Sequence, residues 1–130
     1  MSALQEWAGE VEDIFRIECS FECDDAVSMQ DDCAANHLFR IAQEAVHNAI
    51  RHGKAGKIVI GLRAADEQGV LTIRDDGSGI SLERSSCAGM GLRIMDYRAR
   101  MIGGSLSIER ASERGILVAC LFPLRKRSDV

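Results

Sequence analysis

The sequence contains 130 residues, carries a formal net charge of −4 and is 46% hydrophobic, which together fit one domain with a single core. A negative net charge does not favour nucleic acid as a partner. No apolar run reaches the roughly 18 residues that a membrane-spanning helix needs, so we expect no direct membrane contact by this chain. The N-terminus lacks a signal-peptide pattern, and the five scattered cysteines, without a Cys-x-x-Cys pair, indicate reduced thiols and a cytoplasmic location.

In the first part of the chain, a helix is predicted within residues 1–15 and a strand over residues 16–23. The helix follows from apolar residues at spacings of three and four, and the strand from alternating apolar and polar residues. The helix has two interpretations that the sequence does not separate. It connects this domain to one upstream, or it packs on this domain's own core.

The rest of the chain alternates helices with pairs of strands. A helix is expected over residues 31–52, with its stop at Gly53, and a hairpin follows over residues 57–64 and 70–75. Residues 76–89 are expected to form a loop, residues 91–102 a second helix, and residues 105–109 with 115–122 a second hairpin. The predicted fold is therefore α+β: a two-layer sandwich whose mixed, mostly antiparallel sheet has helices on one face.

Three polar side chains share one stripe of the long predicted helix. Residues four apart lie on the same side of a helix, so Glu44, Asn48 and His52 form a slanting row beside the apolar face. A partly buried carboxylate and amide need a polar partner, and hydrated Mg²⁺, which prefers oxygen ligands, is one such partner. Alone, such a row more often indicates a solvated helix edge.

Two glycine-containing segments follow this helix. Asp75-Asp76-Gly77-Ser78-Gly79 stands at a strand end, where a fixed Asp75 carboxylate could accept a hydrogen bond from an amine such as that of adenine, while Asp76 is expected to face solvent. Gly89-Met90-Gly91-Leu92 is predicted to open a helix, whose free N–H groups can bind phosphate. Neither segment is a P-loop or a dinucleotide fingerprint, and each alone is a weak signal.

In this order and spacing, the motifs resemble those of the GHKL (Bergerat-fold) ATPases, which include gyrase, sensor histidine kinases and MutL. Residues 41–53 look like the N box, and residues 75–79 look like the first glycine box. Residues 89–104 look like the second glycine box and are most similar to sensor kinases paired with NarL/LuxR-type response regulators. The resemblance covers about residues 31–124.

The resemblance implies a role for each matching residue. Asn48 would ligate Mg²⁺ at the phosphates, Glu44 would polarise the attacking group or act as a base, and Asp75 would bind the adenine amino group of ATP or ADP. The other implied nucleotide contacts are His52, Lys54, Gly77, Gly79, Gly89, Met90, Gly91 and Leu92. Residues 81–88 would form a short lid over the nucleotide.

The sequence departs from the family pattern in two ways. The family often has Gly-Thr where this chain has Gly115-Ile116, so the polar support for Asp75 is missing or comes from elsewhere. In addition, no upstream helix carries a phosphoacceptor histidine. His37 and His47 lie in the predicted nucleotide-binding helix and are expected to be structural or surface residues.

The expectation is an ATP-binding catalytic domain of a two-component sensor histidine kinase, over residues 16–124. Residues 1–15 would form the connecting or packing helix, and residues 125–130 a basic tail. The domain would transfer the γ-phosphoryl group of ATP to a histidine on a separate dimerisation domain, for relay to a NarL/LuxR-type regulator, and alone would turn over little. The full-length kinase could be membrane-anchored. The alternatives are a stand-alone anti-sigma-type serine kinase and a docking module without catalysis.

Overall fold

The structure, a computed structural model, describes residues 2–24, 32–51, 54–77, 86–111 and 114–124. Three helices and five strands alternate along these ranges. In chain order they are α1 (Ser2–Phe15), β1 (Glu18–Cys23), α2 (Asp32–Arg51), β2 (Lys57–Ala65), β3 (Gln68–Asp75), α3 (Ser86–Met101), β4 (Ser105–Arg110) and β5 (Ile116–Pro123). Within the described ranges, no helix is both long and apolar enough to cross a membrane.

The five strands form one sheet in the order β1-β2-β3-β5-β4. Strand β1 pairs with β2 in parallel, and every other neighbouring pair is antiparallel. The parallel pair follows from the chain path, because α2 lies between β1 and β2 and carries the chain back to the same end of the sheet. The mixed, mostly antiparallel sheet that the sequence predicts is confirmed.

One face of the sheet is covered by the helices, and alternate residues of each strand point into that layer. In the register, Ile58 lies opposite Asp75, Ile60 opposite Ile73, and Ile73 opposite Val118. The buried core side chains of the inner strands are Ile58, Ile60, Leu62, Leu71, Ile73, Ile116, Val118, Cys120 and Phe122. The prediction of helices on one face is therefore also confirmed, and Asp75 belongs to the covered face.

Helix α2 supplies the middle of the helical layer. Its apolar stripe, which consists of Leu38, Ile41, Ala42, Ala45, Val46 and Ala49, is buried against the sheet. The helix is closed by a hydrogen bond in which the Ala55 N–H donates to the Ala49 carbonyl at 3.0 Å. Lys54 makes the turn with φ of 52°, in the left-handed region. The expected stop at Gly53 lies outside the described residues.

Helix α1 packs on this core. Leu4, Ala8 and Val11 are buried, at spacings of four and three residues. The Trp7 ring contacts the Phe39 ring of α2, with the two centroids 5.6 Å apart. Of the two interpretations of this helix, packing on the domain is what these contacts describe, while a link to an upstream domain stays a prediction.

Helix α3 begins earlier than the sequence predicts. The sequence predicts a start at residue 91, but the helix runs from Ser86, so residues 86–89 are helical rather than part of the loop. Its end agrees with the prediction, since Gly103 has φ of 75° and the Gly104 N–H donates to the Ala99 carbonyl at 2.9 Å.

Candidate functional site

Glu44 and Asn48 of α2 face the second helix of the site, α3, at Gly91. Both side chains are half-buried, and Gly91 is buried between the helices. A Cβ on Gly91 would collide with the Glu44 carboxylate oxygen and would lie 3.2 Å from Asn48 Nδ2. The missing side chain is therefore what allows α3 to approach this pair. The structure thus brings together three residues of two motifs that are separated by more than forty positions in the chain.

This contact adds a packing role to the role predicted for the second glycine segment. Gly91 is the sixth residue of α3, and only the first four N–H groups of a helix lack a partner within it. The N–H of Gly91 therefore has a carbonyl within the helix to which it can donate, whereas Gly89, the fourth residue, has none. The phosphate role of both glycines stays a prediction. Gly91 also gives the Glu44 and Asn48 side chains their room.

Asp75 is the buried acid of the site, with its side chain on the covered face at the end of β3. The residue is 8% exposed, and its Oδ1 accepts a hydrogen bond from the Gly77 N–H at 2.8 Å. Burial raises the pKa of Asp75, and the amides of Gly77 and Ile116 oppose this by donating hydrogen bonds to the carboxylate. The result is a fixed acceptor in a partly dry environment.

The support for Asp75 comes from the start of β5, where the sequence shows no polar side chain. The Ile116 backbone N–H donates to the Asp75 carboxylate, in place of a threonine hydroxyl. Gly115 precedes it with φ of 87°, and a Cβ there would collide with the Asp75 carbonyl and lie 2.8 Å from Oδ1. Sequence reasoning missed both contributions, although a glycine directly before the last strand was the available signal.

Asp76 has a structural role beside the site. Its Oδ1 accepts hydrogen bonds from the N–H groups of Gly56 and Lys57, at 2.8 and 3.0 Å, which ties the end of β3 to the start of β2. Desolvation raises the pKa of Asp76. The hydrogen bonds from the Lys57 and Gly56 amides and the charge of Arg114 lower the pKa by more than this, so the net pKa is below its usual value. Asp76 is solvent-exposed, as expected.

The other expected nucleotide contacts fall in different surroundings. Lys54 is exposed just after α2, and Gly77 is buried next to Asp75. Leu92 packs against the hydrophobic core, so its side chain is part of the fold. Gly89 and Met90 lie within α3. Residues 86–88, which belong to the expected lid, are also part of this helix. His52, Gly79 and residues 81–85 lie outside the described residues.

The two other histidines have the surroundings that the sequence predicts. His37 is half-buried on α2, where its Nδ1 lies 3.2 Å from Arg98 Nη1 of α3. Because arginine only donates, the His37 nitrogen accepts this hydrogen bond and joins the two helices. His47 is exposed.

The donor set of the site fits a magnesium–nucleotide complex. Mg²⁺ keeps several waters and needs only one or two protein oxygens when phosphates supply others, and the adjacent Asn48 amide and Glu44 carboxylate offer such oxygens. In the part of the chain that the structure describes, no three His, Cys, Asp or Glu side chains gather as a metal site of their own. Any magnesium here would therefore take most of its ligands from the nucleotide phosphates and from water.

Comparison with known proteins decides the family. Residues 33–126 match the histidine kinase-, DNA gyrase B-, and HSP90-like ATPase family. The chain belongs to this family. The matched range contains Glu44, Asn48, Asp75 and Gly91, so the family segment of this ATPase domain includes the whole site and leaves out α1 and β1.

Relatives of this ATPase domain include two sensor proteins. The sensor protein VraS of Staphylococcus saprophyticus is 36% identical over 94 residues, which are 72% of this chain and 27% of VraS. The sensor histidine kinase LiaS of Bacillus subtilis is 34% identical over 89 residues, which are 68% of this chain and 25% of LiaS. The chain thus spans about a quarter of the length of these relatives.

Solved structures share the fold of the ATPase domain. The ATP-binding domain of PrrB from Mycobacterium tuberculosis aligns with a TM-score of 0.73 and 19% identity, over 96% of this chain and 93% of that one. The histidine kinase domain of the blue-light activated kinase from Erythrobacter litoralis aligns with a TM-score of 0.74 and 21% identity, over 95% of this chain and 60% of that one.

Proposed function

We propose that this chain is the ATP-binding catalytic domain of a sensor histidine kinase. It transfers the γ-phosphoryl group of ATP to a histidine on a separate dimerisation domain, and that group then passes to a response regulator of the NarL/LuxR type. The observation that carries the proposal is the buried Asp75 carboxylate, held by the Gly77 and Ile116 amides at the end of β3. Relatives named as sensor proteins support the same conclusion.

Asp75 selects adenine in this proposal. Its carboxylate is an acceptor whose position is fixed by two backbone donors, so it can receive a hydrogen bond from the exocyclic amino group of ATP or ADP without reorganising. A carbonyl-bearing base would present an acceptor to this acceptor and be rejected. Gly77 and Gly79 shape the pocket around the base, because a glycine backbone can approach a ligand closely.

Glu44 and Asn48 act at the phosphates. Asn48 holds Mg²⁺, which offsets the phosphate charge when the nucleotide is bound. Glu44 polarises or deprotonates the attacking group, and its contact with Gly91 fixes where its carboxylate stands. The rest of the phosphate side of the pocket is formed by Gly89, Met90, Gly91, Leu92, Lys54 and His52.

The transfer itself needs little covalent chemistry from this domain. The acceptor imidazole is the nucleophile, so the domain contributes positioning and charge neutralisation. The acceptor histidine belongs to the dimerisation domain, and we therefore expect the isolated chain to bind nucleotide with little turnover. The proposed compartment is the cytoplasm, where ATP is available, and an anchored full-length kinase is compatible with it.

Calorimetric titration with ATP and ADP, with and without Mg²⁺, tests the binding half of the proposal. We expect binding of both nucleotides, and a loss of about tenfold or more in Asp75→Asn. Asp66→Asn is the matched control, because Asp66 lies in the β2–β3 turn with φ of 58°, which asparagine tolerates equally well. Unchanged affinity in Asp75→Asn would refute the adenine role.

A reconstituted phosphotransfer assay tests the catalytic half. A histidine-bearing dimerisation domain is supplied in trans, and label transfer from ATP is followed for the unaltered chain and for Asn48→Ala and Glu44→Gln. We expect both variants to bind ADP while transfer falls by about a hundredfold or more. Full transfer by either variant contradicts its assigned role, and transfer to a serine-bearing acceptor instead would replace the proposed substrate.

A further inference from the structure

The uncovered face of the sheet holds a cavity of about 410 Å³ at the end where β2 begins and β3 ends. Its lining consists of Lys57, Val59, Arg74, Asp75, Asp76, Ala111 and Arg114. Strand alternation puts Lys57, Val59 and Arg74 on the face opposite to the Asp75 side chain and the helices. The cavity therefore lies on the other side of the sheet from the proposed nucleotide pocket.

Three of the lining residues are cations, although the chain as a whole has a net charge of −4. Within the described part of the chain, neither Lys57 nor Arg74 forms an ion pair. The electrostatic partner of Arg114 is Asp76. Holding unpaired cations together around a concave surface costs repulsion, and an anion in the cavity would relieve it.

The two acids in the lining offset only part of this positive charge. The charge of Asp76 is paired with that of Arg114, and the Asp75 side chain is held on the covered side by the Gly77 and Ile116 amides. Glu18 and Glu109 lie on the uncovered face as well, opposite Lys57 and Leu117 in the register, but outside the lining. Lys57 and Arg74 are thus the cations that remain available inside the cavity, while Arg114 is shared with Asp76.

From this arrangement we propose a second ligand site, in which Lys57, Arg74 and Arg114 bind a small phosphate-bearing anion on the uncovered face of the sheet. Two guanidinium groups supply planar forks that match phosphate oxygens, and the lysine supplies a point charge. The cavity volume is in the range of small-molecule sites, and Val59 and Ala111 offer apolar contact to the rest of the ligand. Asp75 borders both sites, but the three anion-binding groups belong to the cavity alone, so this proposal does not depend on the proposed function.

The experiment is a titration of the 130-residue chain with pyrophosphate, followed by amide chemical shifts at constant ionic strength. We expect saturable shifts at Lys57, Arg74 and Arg114. Arg74→Ala and Lys57→Ala should each weaken pyrophosphate binding by about tenfold. The matched control is Arg63→Ala. Arg63 lies on the uncovered face of the same strand as Lys57 but outside the cavity, so this variant should leave the affinity for pyrophosphate unchanged.

Two further arms separate the possible sources of the phosphate. Phosphatidylcholine vesicles with and without phosphatidic acid test a lipid headgroup, whereas pyrophosphate tests a free anion. Binding by either probe that is lost in Arg74→Ala and kept in Arg63→Ala supports the site and assigns its source. No saturable shift at these three residues with either probe overturns the proposal, as does an equal loss in Arg63→Ala.

Discussion

The most costly residue of the site is Asp75, a carboxylate that is only 8% exposed. Desolvation disfavours its charged form, and two amide donors compensate only in part, since the net pKa is raised. The charged form of this acid therefore carries a free-energy cost in the empty domain. Such a cost is typical of a position that is kept for a ligand.

A pH dependence follows from the raised pKa of Asp75. In the unfolded chain this aspartate has its ordinary pKa of 3.8, and in the folded chain a higher one. Its contribution to stability is therefore fully present below pH 3.8 and is lost as the pH rises through the folded-state pKa. In Asp75→Asn this loss disappears, because the side chain does not titrate.

The measurement is the free energy of unfolding against pH, by urea denaturation of the nucleotide-free protein. We expect the unfolding free energy of the unaltered chain, minus that of Asp75→Asn, to fall as the pH rises above 3.8. A difference that is constant over that range, or that grows in favour of the unaltered chain, contradicts a raised pKa.

Gly115 provides the second prediction at the scale of the residue. Its φ of 87° already disfavours any side chain, and a Cβ would also collide with the Asp75 carbonyl. We expect Gly115→Ala to cost about 3–5 kcal/mol of stability, the sum of backbone strain and overpacking. Nucleotide affinity should fall with it, because the same shift would move the Ile116 amide away from Asp75.

The matched control for Gly115 is Gly103→Ala. Gly103 has a similar φ of 75°, but a Cβ there would lie 3.7 Å from Pro123, an ordinary contact. This variant should cost only about 1–2 kcal/mol, the strain of the left-handed conformation. Equal losses in the two variants, measured by thermal or urea denaturation, would mean that the contact with Asp75 has no energetic weight.

At the scale of the element, the packing of α2 against α3 depends on one missing side chain. Gly91→Ala would gain about 1 kcal/mol of helix propensity but would push against the Glu44 carboxylate. That carboxylate is the end of a flexible side chain and can move, so we expect little net change in stability. The displaced Glu44 should instead reduce phosphotransfer, by about tenfold or more.

A mutant cycle separates these two effects. In a Glu44→Ala background the collision with the carboxylate is gone and only Asn48 Nδ2, at 3.2 Å, stays close to the new methyl group. Gly91→Ala should then stabilise by up to about 1 kcal/mol. Gly9→Ala in α1, where a Cβ would meet nothing within 4 Å, gives the unopposed reference. If Gly91→Ala stabilises equally with and without Glu44, the contact between the two helices does not act as described.

The ends of the elements show what the sequence could and could not predict. Helix α2 was predicted over residues 31–52 and runs over Asp32–Arg51, because an unbroken apolar stripe marks it. The first four residues of α3 belong to the loop predicted over residues 76–89, a segment rich in glycine, serine and charged residues, which are signals of a loop. Packing of α3 against α2 outweighs that local preference, and packing is not visible in a local window of sequence.

The candidate site also contains residues that the sequence predicts and contacts that it does not. Asp75, Glu44 and Asn48 could be found because carboxylates and amides at a defined spacing carry a chemical signature. The Ile116 amide could not, because every residue except proline has a backbone N–H and its identity does not reveal where that donor points. The crowding at Gly91 and Gly115 likewise depends on neighbours that are distant in the sequence.

At the scale of the whole molecule, α1 determines whether the chain behaves as one unit. Trp7, the single tryptophan, contacts Phe39, and three further side chains of α1 are buried. We expect tryptophan fluorescence and far-ultraviolet circular dichroism to report the same urea midpoint, because α1 unfolds with the core. The Trp7→Phe variant, whose unfolding is monitored by circular dichroism alone, shows how much the contact between the Trp7 and Phe39 rings contributes to the midpoint.

An earlier fluorescence transition would contradict this expectation. It would show that α1 detaches before the sheet unfolds, and would then favour its interpretation as a linker to an upstream domain. Deletion of residues 1–15 gives the complementary measurement. A truncated chain of unchanged midpoint would agree with detachment, whereas a lower midpoint would agree with the buried Leu4, Ala8 and Val11.

The parallel pairing of β1 with β2 has a consequence for the order in which the sheet assembles. Strands β2 and β3 are joined by the two-residue turn Asp66-Glu67, so their ladder can close locally and early. Strand β1 must wait until α2 has formed and crossed back over the sheet. During refolding, the amides of β1 should therefore gain protection from hydrogen exchange after those of the hairpin.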